Sequence, residues 1–519
     1  MASLNGEKIV SFIDIGTNSV RLLVVRLNPN CSYTIISQEK EVVRLGENEF
    51  EDYILKENAM NRTSLVCKKF AELSRTYGAT EIFAVATSAV REASNKEEFL
   101  AMVKQDAGID IRVISGSEEA RYIFLGLSSG VHIGSQEAAF IDVGGGSTEV
   151  VIGDQDTIRF MESYKYGAIR CTKWFSKGTD RPVAGQDYER VKERISSGMG
   201  GLPSYSAERP LLAFGSSGTI INLAEIAAKN FKGGNGEWEL TIGRKKLRKV
   251  RSLVCSLSLD ERRHIPGINP ERADIIIGGM AVVEALMERL ALKEIIASNR
   301  SLRDGLLADY LIRIWGDKIT IDLPVRERSI LQLARSCNHD EGHARSVCSL
   351  AMQLFDTSRE IGLHDMGDRE RELLRYAALL HDIGDFISFN DHHLHSHYII
   401  THADLPGFNK QDVRIIANIA RYHRKKPPNK RAMDLEGLNQ DSRETVLGLF
   451  PFLRVAENLD RSHRGLVKAC ALGKGDSPKI TLSLWSECDC QLEDWSVRNS
   501  VMLLEKSLGR ALELAWHRR

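Results

Sequence analysis

An aspartate at the end of an apolar strand, followed by a turn of small and hydroxyl residues, can hold a phosphate and its cation. This chain carries that arrangement twice. Residues 12–25 read FIDIGTNSVRLLVV and residues 140–153 read FIDVGGGSTEVVIG, with Phe, Ile, Asp, Gly and Ser at equal places 128 residues apart. Each copy reads as a β-hairpin whose tight turn needs Gly and Ser. Such turns leave backbone N–H groups free to cradle phosphate oxygens, with Ser and Thr hydroxyls beside them, and the Asp is placed to hold a divalent cation or its water. One glycine-rich hairpin is ordinarily only a turn. Two matched copies point to duplication around a shared ligand.

Further residues fit the same chemistry. Gly215-Ser216-Ser217-Gly218-Thr219 follows the apolar residues 211–214 and runs into a helical pattern over 220–226, making another anion site at a helix start. Residues 275–284 repeat the grammar of strand, glycine pair (Gly278, Gly279) and helix. Between the hairpins, Arg91 follows the strand-like FAVATS, where a guanidinium can clamp phosphate oxygens bidentately or simply face solvent. In SGSEEAR, Glu118 and Glu119 fall in the first turn of a helix, where acidic residues are favourable for structural reasons alone.

Strand-rich runs alternate with helical patterns over 61–77, 96–107 and 117–127, which indicates α/β modules. Two related lobes with facing phosphate loops imply a cleft and resemble the actin-like, sugar-kinase and Hsp70 superfamily. DIGTNSVRL, ATSAVREA, SGSEEAR, DVGGGSTE, FGSSGT and the late Ser301-Leu302-Arg303-Asp304-Gly305 resemble, in order and spacing, the exopolyphosphatase and guanosine pentaphosphate phosphohydrolase (Ppx/GppA) family in its long form.

The resemblance implies roles. Glu119 would be the general base that activates the attacking water, Arg91 would clamp the terminal phosphoryl group, and Asp142 and Glu149 would hold Mg2+ or Mn2+. Asp14, Thr17, Asn18, Ser19, Gly144, Gly145, Gly146, Ser147, Gly215, Ser216, Ser217 and Gly218 would line the phosphate. K+ is a candidate monovalent activator. Phosphoryl transfer to water needs an oriented nucleophile, a cation and donors around the equatorial oxygens, and this set supplies them.

Eleven of the fourteen histidines fall between His339 and His463, so a new domain is expected after about residue 320. Leu-rich periodicity over 326–380 and 411–421 makes it all-α. His343, His381-Asp382 and Asp460 follow the order of ligands in HD-type metal phosphohydrolases, a set suited to a second divalent metal. The histidines of 391–397 and His423 add candidate contacts. Arg421, Arg424, Lys425 and Lys426 begin a run of six basic residues in eleven, read either as a solvated face or as a path for polyphosphate. The last segment reads as a small α/β tail, with 480–484 and 488–491 as a hairpin and 501–515 as a helix.

The expected fold is therefore α/β: duplicated actin-like (ribonuclease H-like) lobes at 1–128 and 129–305, an all-α HD-like domain at 320–470 and a small α/β tail at 471–519. The 519 residues exceed one core, and 43% hydrophobic with 27% charged residues is ordinary globular composition. Seventy basic against seventy acidic residues exclude a general pull toward nucleic acid or an anionic membrane, so no sequence-specific nucleic-acid partner is expected. Nine scattered cysteines read as reduced thiols. No apolar stretch approaches a membrane span and the start lacks a signal-like pattern, so the expectation is a cytoplasmic protein. The partners implied are inorganic polyphosphate, guanosine pentaphosphate or tetraphosphate, and a second copy in a homodimer. The competing classes are an actin-like ATPase or sugar kinase, and a nucleotide-sensing regulator that has lost turnover.

Overall fold

The computed structural model describes residues 6–47, 49–155, 157–206, 211–231, 240–316, 323–425, 427, 435, 437–474 and 479–518. The chain divides between Pro324 and Val325 into two compact units.

The N-terminal unit holds two sheets. In the first, β1 (Lys8–Ile15), β2 (Ser19–Leu27), β3 (Tyr33–Val42), β4 (Glu81–Ala86) and β5 (Ile111–Val113) lie in the order β3-β2-β1-β4-β5. In the second, β6 (Ala138–Val143), β7 (Thr148–Gly153), β8 (Ile158–Tyr164), β9 (Leu212–Ser216), β10 (Thr241–Gly243) and β11 (Glu294–Ala297) lie in the order β10-β11-β9-β6-β7-β8. Without the edge strand β10 the two orders are the same, so the short sequence echo extends to whole lobes. The central strands are apolar on both faces because both are covered. Ile13, Leu22 and Val24 meet Met60, Phe70 and Phe99 on one side. Val10, Phe12 and Leu23 meet Ile123, Leu306 and Tyr310 on the other, in a core that also takes Phe140 and Phe214 from the second sheet.

That shared core moves one expected boundary. The edge placed at 305 falls inside the helix Leu302–Trp315, which returns to the first lobe: Arg303 Nη1 donates to Leu22 O at 2.9 Å and Tyr310 Oη to Glu81 at 2.8 Å. This helix crosses Gly116–Ser128 where an added Cβ at Gly305 would stand 1.8 Å from Tyr122 O and one at Gly126 2.4 Å from Ser301 O, so only glycine permits the crossing. Residues 276–289 are a helix rather than strand and turn, and Gly278 and Gly279 lie inside it. Burial on all sides removes its helical period from the sequence.

In the C-terminal unit, helices Val325–Ser336, Glu341–Glu360, Asp368–Leu380, His392–His402, Lys410–Arg421 and Gln440–Leu459 precede β12 (Val467–Lys474), β13 (Ile480–Ser486), the helix Gln491–Leu508 and β14 (Leu512–Arg518). The expected tail is not separate, since Leu472, Leu482, Leu484 and Leu504 share one core with Leu354, Leu380 and Phe452. β13 pairs with β12 and β14, and no strand forms over 488–491. The helix expected over 501–515 holds to Leu508 as the end of Gln491–Leu508, and its last residues belong instead to the strand Leu512–Arg518, whose Leu512, Leu514 and Trp516 alternate onto the core.

Candidate functional site

The two hairpins close with the same turn. Gly16 N donates to Ser19 O, and Gly144 N to Ser147 O, each at 3.0 Å. Thr17 of the first turn nests against the second, since a Cβ added at Gly145 would stand 3.0 Å from Thr17 Cβ and one at Gly146 3.1 Å from Thr17 Oγ1. The turns therefore meet face to face around a cavity of about 90 Å³. Asp14, Thr17, Asn18, Ser19, Asp142, Gly144, Gly145, Gly146, Ser147, Ser217, Gly218 and Glu119 all line it.

Glu119 is placed by its helix start. Ser115 caps Gly116–Ser128 and forms a reciprocal capping box with Glu118, which also binds Arg112 at 2.9 Å. Glu118 is thus spent on structure while Glu119, 8% exposed, faces the cavity. Arg91, carried by the short helix Ser88–Glu92, donates to Glu119 Oε2 at 2.8 Å and to Ile114 O at 3.0 Å. Arg91 is therefore engaged with the glutamate and is not among the cavity-lining residues.

The third loop divides differently from expectation. Ser217, at φ +84°, and Gly218 line the cavity. Ser216 is fully buried and its hydroxyl donates to Asp142, while Gly215 packs under Ile220 and Ile295. Glu149 faces Asp142 across the β6–β7 ladder and accepts from Ser163 Oγ at 2.8 Å, set back from the cavity lining.

Three arginines escaped the sequence reading. Arg21 lies opposite Asp14 across β1–β2, the place that Glu149 takes in the second hairpin, so the 128-residue register would have found it. Arg272 packs on the third turn, where a Cβ at Gly218 would stand 2.2 Å from its Cζ. Arg303 lies near Arg21 and Asp14 and emerges from the crossing helix.

Burial shifts the acids and the bases of the cleft in opposite directions. Burial pushes Glu119 up to about 7, against the opposing pull of Arg91. Burial pushes Asp14 up to about 6 despite Arg21 and Arg303. Asp142 rises through burial, and Glu149 rises well above the carboxylate range through burial and then the charges of Glu119 and Asp142. Arg272 is pulled down to about 10 by burial and then by Arg21. Among the described residues, no three cleft carboxylates bring ligand atoms within 4.8 Å of one another, so a metal here would complete its shell with water and substrate oxygens.

The C-terminal unit gathers a second set. His343, His381, Asp382 and Glu457 bring ligand atoms within 4.8 Å of one another. Glu457 Oε2 stands 2.9 Å from His343 Nε2 and 3.1 Å from His381 Nε2. Asp460, expected as a ligand, is one step removed: its Oδ2 meets His343 Nδ1 at 2.9 Å. Glu457 precedes it by one helical turn, and that spacing was the missed signal. Burial opposes charge on His343 and His381, but Asp382 and Glu457 overcome it and push them up to about 11 and about 10. Of the basic run, Lys425 pairs with Asp391 at 3.2 Å, Arg424 lies over the Phe389 ring and Arg421 over that of Tyr422, while Lys426 lies outside the described residues.

Residues 23–313 match the Ppx/GppA phosphatase family and residues 325–498 match domain III of that family. An exopolyphosphatase from Cytophaga hutchinsonii is 25% identical with a TM-score of 0.53, over 60% of this chain and 99% of its own. An exopolyphosphatase-like protein gives the same identity, TM-score and coverage. The Aquifex aeolicus PPX-GPPA enzyme is 27% identical with a TM-score of 0.49, over 58% of this chain and 99% of its own. Among the described residues no helix is long and apolar enough to cross a membrane.

Proposed function

Because the chain belongs to the Ppx/GppA phosphatase family and is on that ground a phosphate-releasing hydrolase, we propose that it is an exopolyphosphatase working in the cavity between the two hairpins. The observation that carries this reading is the meeting of the two turns over Glu119, with Asp14 and Asp142 on opposite sides. The terminal phosphoryl group sits among the backbone N–H groups of 17–19, 145–147 and 217–218. Arg21 and Arg272 take the negative charge that follows along the chain. Glu119, aimed by Arg91, accepts a proton from water as its oxygen attacks the terminal phosphorus. The P–O anhydride bond breaks, orthophosphate leaves and the polymer is one unit shorter.

The cleft fits a divalent cation, because its carboxylates are buried, and after burial the charges of Glu119 and Asp142 raise Glu149 while those of Asp14 and Asp142 raise Glu119. Asp142 and Glu149 would hold Mg2+ or Mn2+, which neutralises anhydride charge when bound. Ser216 orients Asp142 and Ser163 orients Glu149.

A second reading, guanosine pentaphosphate hydrolysis, has its own support. A cavity of about 390 Å³ shares Asn18 and Ile275 with the phosphate cavity and is lined by Arg44, Lys173 and Phe175, room and chemistry for a nucleoside. Orthophosphate release from polyphosphate, guanosine pentaphosphate and ATP, each with wild type and Glu119→Gln, separates the readings. Polyphosphate is expected to be fastest and lost on substitution. Release from ATP alone, undiminished by Glu119→Gln, would overturn both.

A further inference from the structure

We propose that the C-terminal unit carries a binuclear metal centre of its own. In it, Asp382 bridges one ion held by His343, His381 and Glu457 and a second held by His392 and His423. The inference stands independently of the chemistry in the cleft.

It begins with the imidazole tautomers. Nδ1 of His381, His392 and His423 each faces the backbone carbonyl three residues earlier, Ala378, Phe389 and Ala420, at 2.8, 2.9 and 2.5 Å. A carbonyl only accepts, so each Nδ1 carries a hydrogen and Nε2 is the ring nitrogen left to take either a proton or a metal. In His343 the Asp460 carboxylate does the same work. Fixing Nδ1–H on a carbonyl or carboxylate is how proteins orient imidazole as a metal ligand.

The four Nε2 atoms then converge. Those of His343 and His381 are 3.3 Å apart and those of His392 and His423 3.1 Å apart. Asp382 lies between the pairs and turns one oxygen to each. Its Oδ2 is 3.5 and 3.4 Å from the first pair, and its Oδ1 is 3.2 and 3.3 Å from the second. Oδ1 is nevertheless a buried atom without a hydrogen-bond partner. Ring nitrogens and a carboxylate oxygen at these distances need positive charge among them, which a metal ion in place of the Nε2 protons would supply. The converging atoms form two ligand groups, His343-His381-Asp382-Glu457 and Asp382-His392-His423, joined through Asp382.

The fold holds these groups rigidly at helix ends. His343 is in the first turn of Glu341–Glu360, His381 caps Asp368–Leu380, His392 opens His392–His402, and Glu457 lies in the last turn of Gln440–Leu459. Ser396 Oγ ties His381 O at 2.6 Å and accepts from Gly384 N at 2.9 Å, which fixes the loop bearing Asp382. His343, His381, His392, His423 and Glu457 are all buried.

Four imidazoles and two carboxylates suit Mn, Fe, Co or Zn rather than Mg or Ca, which prefer all-oxygen shells. The second ion has three protein ligands, which leaves positions for water or an anion's oxygen. Arg424 Nη1 stands 3.4 Å from His392 Nε2, where it can receive that anion.

The test uses the full chain, stripped with chelator, reloaded with Mn(II) in excess Mg2+, desalted and assayed for manganese. About two Mn per chain with the low-temperature paramagnetic spectrum of an exchange-coupled pair is expected. His423→Gln should leave about one Mn with an isolated-ion spectrum, Asp382→Asn should abolish the coupling, and Gly185→Ala, whose added Cβ meets nothing within 4 Å, should change neither reading. One Mn or none in the wild type would overturn the proposal, as would coupling that survives Asp382→Asn. The wild-type readings decide it even where a variant fails to fold.

Discussion

Gly146→Ala puts the meeting of the two hairpins under direct strain. An added Cβ would stand 2.1 Å from Ser88 Oγ, 2.5 Å from Phe50 Cζ and 3.1 Å from Thr17 Oγ1. Carbon contacts relax at about 3.5–4.0 Å, so the neighbours must yield by about 1 Å. Ser88 can rotate its hydroxyl away. Phe50 has less freedom, because the Arg170 guanidinium lies 3.9 Å over its ring and is itself tied to Glu92 at 2.8 Å. Overpacking of this kind costs about 1–3 kcal/mol of stability, and a displacement of about 1 Å between reacting groups costs about 100-fold in rate. Steady-state orthophosphate release from polyphosphate should therefore fall about 100-fold while the protein stays folded at assay temperature. Gly185→Ala is the control, since a Cβ there meets nothing within 4 Å and should leave the rate unchanged. Turnover of Gly146→Ala within twofold of wild type would refute the reading that the turns close on one phosphate.

The pH profile follows from Glu119. Its carboxyl is held up at about 7 by burial, so the base form is lost as pH falls through 7, and kcat/KM should drop about tenfold per unit below that value; a profile flat to pH 5 would mean another base. Ser216→Ala removes the hydroxyl that donates to Asp142, which lets burial raise that carboxyl further. The Mg2+ concentration for half-maximal release should rise several-fold, and an unchanged requirement would separate Asp142 from the metal. Arg272→Ala should raise KM for polyphosphate about tenfold with a smaller change in kcat, and the reverse split would place Arg272 in the chemical step.

What the sequence made legible was what local chemistry decides. The hairpin turns follow from Gly and Ser at fixed places, whereas the sequence put Glu118 and Glu119 alike in a first helical turn and the structure separated them by capping Ser115 with Glu118. Where several chain segments decide together, single-segment patterns failed. The helix Ile276–Arg289 is buried throughout residues 276–287, so its first residues read as a strand and a glycine pair and only the remainder as helix. Ser216 looked like a phosphate donor, yet its place beside Asp142 is set by the β6–β9 register. Arg272 reaches the site from far along the chain, and nothing in its own segment marks it. Glu457 was hidden by the more familiar Asp460 one turn later.

The central claim is that Glu119 drives water onto a phosphate held between the two turns. The measurement that bears on it most directly is Glu119→Gln, assayed side by side for polyphosphate binding and for orthophosphate release. The amide keeps the shape and gives up the base, so binding should remain within a few-fold while release falls about 100-fold or more. Release within a few-fold of wild type, or loss of binding and release together, would contradict it.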